Sequence, residues 1–325
     1  VRRIGWILGL FLLAAAAVQA EHDPDVCYER LKGRCWRAAH CVYNGPYSCP
    51  DGDCATAFCC GRYRVWLPQD GPLYKPYAAD PRQVTNSAGL RLNDQALTKK
   101  VAAVSYGDIL PLVQWCNVWP FWGQLQVGIE GCLWAVFSPC EESAPLINAD
   151  YFVGIPVCYA IGRWGCRVRI YHISSHIGDE FLLDHPGFDR RNPSAEYLDG
   201  SLTWYPTDEV RLYGTAGWVI QHDCSFNSGN YYLEAGAELK IPRFGFYDCC
   251  THFYGHPFYA MHFRYNNVYD SHVDGTYVLG YEFGKACGMR KQLRFFMEYH
   301  DGYSVEGQFS SRPSNYFSLR VTYGY

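Results

Sequence analysis

The 325 residues carry a formal net charge of −4, and a charge that small and negative argues against a nucleic-acid partner. Tyr, Phe and Trp number 27, 18 and 10 against three Met, an enrichment that fits aromatic girdles at a membrane–water interface. Beyond residue 20 no apolar run approaches the ~20 residues of a spanning helix, so any membrane crossing has to use strands.

The chain opens Val1-Arg2-Arg3, runs apolar from Ile4 to Val18 and reaches Val18-Gln19-Ala20 before Glu21. A basic start, a short apolar stretch and small residues before a cleavage point describe a secretory signal peptide over 1–20, too short for an anchor. All 16 cysteines follow it, and an exported chain so rich in cysteine reads as disulfide-bonded. Seven of them fall together: Cys27, Cys35, Cys41, Cys49, Cys54, Cys59 and Cys60. An odd number leaves one to stay free, to pair with the rest of the chain or to link to another molecule. Disulfide-linked envelope proteins are therefore expected partners through Cys27–Cys60. The spacings lack the paired C-x-x-C pattern of a zinc site. Tracts such as "GPYSCPDGDC" and "LPQDGPLYKPYAADPR" are turn and loop chemistry, so 21–99 reads as a Cys-rich periplasmic segment followed by an extended linker.

From residue 100 a period of two takes over. In "QLQVGIEGCLWAVF" (124–137) Leu125, Val127, Ile129, Leu133, Ala135 and Phe137 share one parity, and Gln124, Gln126 and Glu130 the other. That is a strand with one apolar face. The same rhythm returns at 147–161, 209–222, 230–240 and 291–300. The opposite faces hold charges of both signs, among them Asp150, Arg167, Arg169, Arg211, Glu234, Arg264, Glu282, Arg294 and Glu298. A closed barrel could pair such charges across its lumen; a soluble sandwich would leave them wet. The C-terminal strand favours the barrel. Phe317, Leu319, Val321, Tyr323 and Tyr325 share one parity and end on an aromatic, as in outer-membrane barrels, whose assembly machinery reads that terminal strand and is an expected partner here.

Eleven strands can be read, near 109–116, 122–137, 147–161, 164–177, 195–206, 209–222, 229–240, 255–267, 273–284, 290–301 and 314–325. Single-chain bacterial barrels have even strand numbers. "KVAAVSYG" (100–107), turning at Gly107-Asp108, supplies the twelfth; ten is the alternative. The fold class is therefore all-β, an antiparallel transmembrane barrel over 100–325 in the bacterial outer membrane, with the N-terminal segment in the periplasm. With the last strand ending in the periplasm, the turns at 162–163 and 207–208 are periplasmic and short, while 138–146, 178–194 and 302–313 are outer loops. The long 241–254 breaks this rule, and its Cys249-Cys250 suggest a tie to the Cys-rich segment.

The stretch "YHISSHIGDE" (171–180) gathers two imidazoles, two hydroxyls and two carboxylates. Parity places His172, Ser174 and His176 on the lipid side at the outer-leaflet end, with Tyr171, Ile173 and Ser175 inward. Polar groups facing lipid are costly unless paired. A bulge near Ser174-Ser175 would turn the histidines inward, or the strand has already reached the headgroups. The chemical alternative is a hydrolytic pair. Outer-membrane phospholipases and lipid A deacylases carry His-x-Ser on one strand, the His activating the Ser against a lipid ester, with Asp179 or Glu180 available to orient the ring. Catalytic candidates are then Ser174, His172, His176, Asp179 and Glu180. No cofactor is expected beyond calcium, should the chain be a lipid hydrolase. A metal shared by His172, His176 and Asp179 would need a bend, because i and i+4 on a strand lie about 13 Å apart. "CCTHFYGH" (249–256) reads as a disulfide corner before a metal site.

The blocks "LPQDGPLYKPYAADPR", "VGIEG", "INADYFVGIP", "RVRIYHISSHIGDEFLL", "YPTDEVRLYG", "LEAGAEL" and "EYHDGYSVEGQF" resemble, over about residues 65 to 325, an uncharacterised family of exported bacterial proteins, domain of unknown function 1207, of planctomycete and chlamydial type. The Cys-rich stretch before residue 61 departs from that resemblance. The resemblance implies an outer-membrane barrel but no established activity, so no catalytic residue carries over from it. The expected role is an integral outer-membrane protein, disulfide-linked in the envelope. The alternatives are a lipid acyl hydrolase using Ser174 and His172, and, third, a small pore.

Overall fold

A computed structural model describes residues 64–119, 121–248, 251–268, 272–285 and 290–325. The signal peptide, Cys27–Cys60 and Cys249-Cys250 lie outside these residues. The strands are Arg64–Trp66 (β1), Asn86–Leu92 (β2), Lys100–Val118 (β3), Gly123–Phe137 (β4), Leu146–Ile161 (β5), Trp164–Ile177 (β6), Ser194–Trp204 (β7), Val210–His222 (β8), Tyr231–Lys240 (β9), Phe246–Asp248 (β10), Phe253–Asn266 (β11), Val273–Lys285 (β12), Gln292–Tyr303 (β13) and Pro313–Gly324 (β14). Asp179–Asp184 forms a short helix, α1. Each barrel strand pairs antiparallel with the next, and β14 pairs back onto β2, so the sheet closes into a 12-strand barrel. β1 and β10 lie off the ring, on β3 and β11.

The sequence periodicity dictates this arrangement. Side chains alternate between the two faces of a strand, and β13 shows the outcome. Leu293, Phe295, Met297 and Tyr299 are exposed, whereas Arg294, Glu298 and His300 are buried. The outside is greasy and the inside charged, the reverse of a soluble protein and the requirement of a wall facing acyl chains. Inside, opposite charges meet. Arg169 reaches Glu130 at 2.8 Å and Asp199 at 2.5 Å, Arg294 reaches Glu282 at 2.7 Å, and Arg320 reaches Glu298 at 3.1 Å. Such pairing is what a buried charge needs, since removing one partner strands the other in a medium that solvates it poorly.

Twelve strands hold, but the twelfth is not the expected one. Residues 100–107 and 109–116 form one unbroken 19-residue strand. Gly107-Asp108, read as a turn, sits mid-strand. A Cβ on Gly107 would lie 2.5 Å from the Cys132 sulfur on β4, so glycine there answers a close approach. Asp108 points outward to Lys291 at 2.5 Å. The missing strand is β2, which lies in the stretch read as linker. Its seven residues carry only Ala88, Leu90 and Leu92 on the apolar parity, a signal too short to stand out. The long 241–254 connection is used as well: a 3₁₀ turn at Pro242–Phe244 leads into β10, which folds back on β11.

Residues 70–85 depart most from expectation. Read as an extended linker, they instead run through the barrel and occupy much of it. Leu73, Tyr74, Tyr77, Ala79, Gln83 and Thr85 are buried. Tyr77 stacks on Tyr213 at 3.7 Å, and its hydroxyl meets that of Thr215 at 2.9 Å. Arg211 donates to the carbonyls of Lys75 and Pro76 at 2.8 and 3.0 Å, and Trp134 donates to that of Gln83 at 3.3 Å. Arg82 pairs with Asp150 and donates to the carbonyl of Val305. The plug enters at Gly71, whose φ of +84° and contact with the Tyr325 ring both require glycine. Tyr325 is consequently buried, while Phe317, Leu319 and Tyr323 of the same parity remain exposed and Val321 half-buried.

Candidate functional site

β6 pairs with β5 from Asn148↔Ile177 to Ile161↔Trp164 and with β7 from Trp164↔Trp204 to Ser174↔Ser194, without a register shift on either side. The bulge that would have turned the histidines inward is absent. Two intact ladders leave β6 no slack for an extra residue, so its parity persists to the end. Arg167, Tyr171 and Ser175 are buried against the lumen. His172 and Ser174 are half-buried and His176 is exposed, all on the outer face.

On that face His172 has a partner. Its Nδ1 lies 3.0 Å from Glu196 Oε1 on β7, the residue directly across the ladder. Both side chains are accessible, at 38% and 42%. Glu196 borders the register shift at Glu196/Tyr197 where β7 meets β8, and a bulge of this kind re-aims the side chain beside it. With Nδ1–H donating to the carboxylate, Nε2 is left as an acceptor. Ser174 follows two residues on, about 7 Å away along the strand. Among the described residues no hydrogen bond joins Ser174 to His172. Such bonds commonly tighten only once substrate is bound. His176 completes the row, edge-on to the Tyr151 ring at 5.4 Å.

Asp179 and Glu180 do not reach this group. They are exposed in the first turn of α1, beyond the end of the strand. The carboxylate that orients His172 is Glu196, which the chain-local search missed. Its signal was present all the same: Glu196 shares the outer parity of β7 with Leu198, Leu202 and Trp204, an acid in an apolar row. Among the described residues no three His, Cys, Asp or Glu converge as metal ligands. His256 of the "CCTHFYGH" stretch faces the lumen, buried beside Glu282 at 3.5 Å. Cys132, Cys140, Cys158, Cys166 and Cys224 are free thiols, with Cys140 and Cys224 exposed.

This arrangement, a serine beside a carboxylate-oriented histidine on the lipid-facing wall, has the parts of an acyl-transfer centre. Comparison with solved structures gives the same fold. The outer membrane phospholipase dimer of Salmonella typhi with bound calcium matches at a TM-score of 0.50 and 13% identity, over 77% of this chain and 93% of that one. The outer membrane phospholipase A of Escherichia coli matches at 0.48 and 13%, over 75% and 92%. The transport unit of the Escherichia coli autotransporter AIDA-I matches at 0.36 and 12%, over 79% and 94%. Identities this low speak to fold alone. No curated protein matches by sequence. A family model described as "Protein of unknown function (DUF1207)" matches residues 32–325. The match begins before residue 61 and so takes in much of the Cys-rich stretch that had been set apart from the resemblance.

Proposed function

The chain belongs to the DUF1207 family of proteins of unknown function, and we propose from its own geometry that it is an outer-membrane barrel that hydrolyses lipid acyl esters at its outer surface. The observation that carries the reading is the Glu196–His172 pair set beside Ser174 on an otherwise apolar face. Ser174 Oγ attacks the ester carbonyl while His172 Nε2 takes its proton. Glu196 holds the ring through Nδ1 and stabilises the imidazolium. The proton passes to the departing alcohol, and water, deprotonated by the same nitrogen, then releases the fatty acid from Ser174. His176, flanking Ser174 on the other side, is placed to meet charge developing on the carbonyl oxygen. The substrate reaches the site sideways from the bilayer, since the three side chains face outward.

The test is fatty-acid release by the refolded chain from phospholipid and from lipid A, with and without calcium. Ser174→Ala and His172→Ala should each lower the rate by about 10³ or more, and Glu196→Ala by about 10². A wild-type chain inert on both lipids, or Ser174→Ala releasing acid at the wild-type rate, would end this reading.

A second reading rests on the exposed thiols of Cys140 and Cys224, in the connections at the Ser174 end of the barrel. They suit a role in a disulfide-linked envelope. Identical migration on gels with and without reductant would count against it. The plugged lumen disfavours a pore. The outward row Phe317, Leu319, Val321 and Tyr323 on β14 suits recognition by the assembly machinery.

A further inference from the structure

We propose that the lumen holds a binding chamber for a small solute bearing a primary ammonium group, set between the plug turn Asp80–Gln83 and the wall and reached from the outer face. It is independent of the hydrolase reading. Two adjoining spaces define the place. The inner one, about 100 Å³, lies against Asp80, Gln83, Arg167 and Glu234. The outer one, about 140 Å³, lies against Pro193, Phe226 and Ser304 of the outer connections. Arg82, Ile173, Tyr197 and Arg264 border both. At the ~15 Å³ that one water needs, the inner space takes about seven, the room of one small molecule.

Charge selects the ligand. Arg82 is matched by Asp150, and Arg169 by Glu130 and Asp199. Around Arg264 the balance fails. It pairs with Glu234 at 3.2 Å, stands opposite Asp274 in the β11–β12 ladder and borders the inner space together with Asp80. That sets three carboxylates against one guanidinium. Among the described residues Asp80 forms no ion pair, and the cation nearest Asp274 is His272, at 3.8 Å. An excess of negative charge where water solvates it poorly favours a cation over an anion.

A second observation bears on the kind of cation. Gln83, whose amide donates to the Asp80 carbonyl at 3.1 Å, is 4% exposed, and its Oε1 has no donor among the described residues. A buried acceptor left in that state is costly and uncommon. Asp80 uses one carboxylate oxygen to accept from the Arg82 amide at 2.8 Å. Two acceptors on one turn suit a group with several N–H donors, which an ammonium supplies. A bare metal ion suits the place less, because no three His, Cys, Asp or Glu converge among the described residues. Arg167 borders the same space with its Nε–H unpartnered, so a hydroxyl elsewhere on the solute would accept from it.

The test is binding to the refolded full chain in detergent, read by saturation-transfer NMR. Two ammonium solutes, ethanolamine and glucosamine, are each compared with the hydroxyl counterpart, ethylene glycol and glucose. At least one ammonium solute should bind, roughly tenfold or more tighter than its counterpart. Asp80→Asn, which keeps the shape, should weaken that binding roughly tenfold. Gln83→Leu, which removes the orphan acceptor, should weaken it as well, and decides the matter should Asp80→Asn not refold. Asp189→Asn, on an outer connection with its side chain 75% exposed, should bind as the wild type does. Equal binding of ammonium and hydroxyl solutes would mean a hydrated space that admits any small molecule, and overturns the proposal. So does a wild-type chain that binds neither ammonium solute. Binding left unchanged by Asp80→Asn and Gln83→Leu, or weakened as much by Asp189→Asn, puts the solute outside the chamber and overturns it too.

Discussion

Glu306 shows at a single residue how this barrel manages an interior charge. It lies in the connection between β13 and β14, 3% exposed, with Arg91 at 2.9 Å and the Ser304 hydroxyl donating to it at 2.9 Å. Burial alone would raise its carboxyl; the guanidiniums of Arg91 and Arg82, with the Ser304 hydrogen bond, outweigh burial and hold it down at about 2. The folded value is below the unfolded one, so the stabilisation is present above about pH 4.5 and is lost as pH falls towards 2. The difference corresponds to about 3 kcal/mol. Melting curves of the wild type should drop through that window, and Glu306→Gln should flatten the drop. A variant with the wild-type pH profile would show that the carboxylate contributes nothing there. The site residues were legible at this scale in part. Parity alone turned His172, Ser174 and His176 outward, because a strand has no other way to alternate. Glu196 was not found, because Asp179 and Glu180 are near His172 in the chain whereas Glu196 is near it only across the ladder.

Among the elements, the plug is the part that periodicity could not reveal. "LPQDGPLYKPYAADPR" has no regular rhythm, and turn chemistry looks alike in solvent and inside a barrel. Only the partners distinguish the two: Thr215, Arg211, Asp150 and Trp134, each more than fifty residues further along the chain. β3 was misread for a related reason. Glycine before aspartate is good turn chemistry, but the contact that required Gly107 comes from β4. The plug should be held by its charges. Arg82→Ala leaves Asp150, 1% exposed, with only the Asn148 side chain and the Gly307 amide as donors among the described residues. A loss of about 3 kcal/mol is expected. In planar bilayers the variant should show conductance events that the wild type lacks. A variant as silent and as stable as the wild type would mean that Arg82 does not fasten the plug.

At the scale of the whole molecule, closure was legible from the sequence because one apolar parity ran on strand after strand to a C-terminal strand ending on an aromatic; the charges of both signs on the other parity suited a barrel and a sandwich alike. Each buried charge of one sign had to find its opposite, and a closed wall brings them within reach. The outer rows of Val153, Ile155, Val168, Ile170, Phe295 and Met297 remain exposed at 44% or more, so burying them in detergent or lipid is the natural completion of the fold. The refolded chain is expected to be monodisperse only with detergent at micellar concentration. Monodispersity in plain buffer would contradict the outward placement of every residue in the site.

The seam where β2 meets β14 joins residues more than two hundred positions apart, Leu92 with Phe317. Loop entropy makes such a late, distant pairing slow, and until it forms both strands present bare edges. Gly71 to Thr85 lead directly into one of those edges. The seam is therefore expected to close last, around contents already laid down, as a ship is built around its ballast.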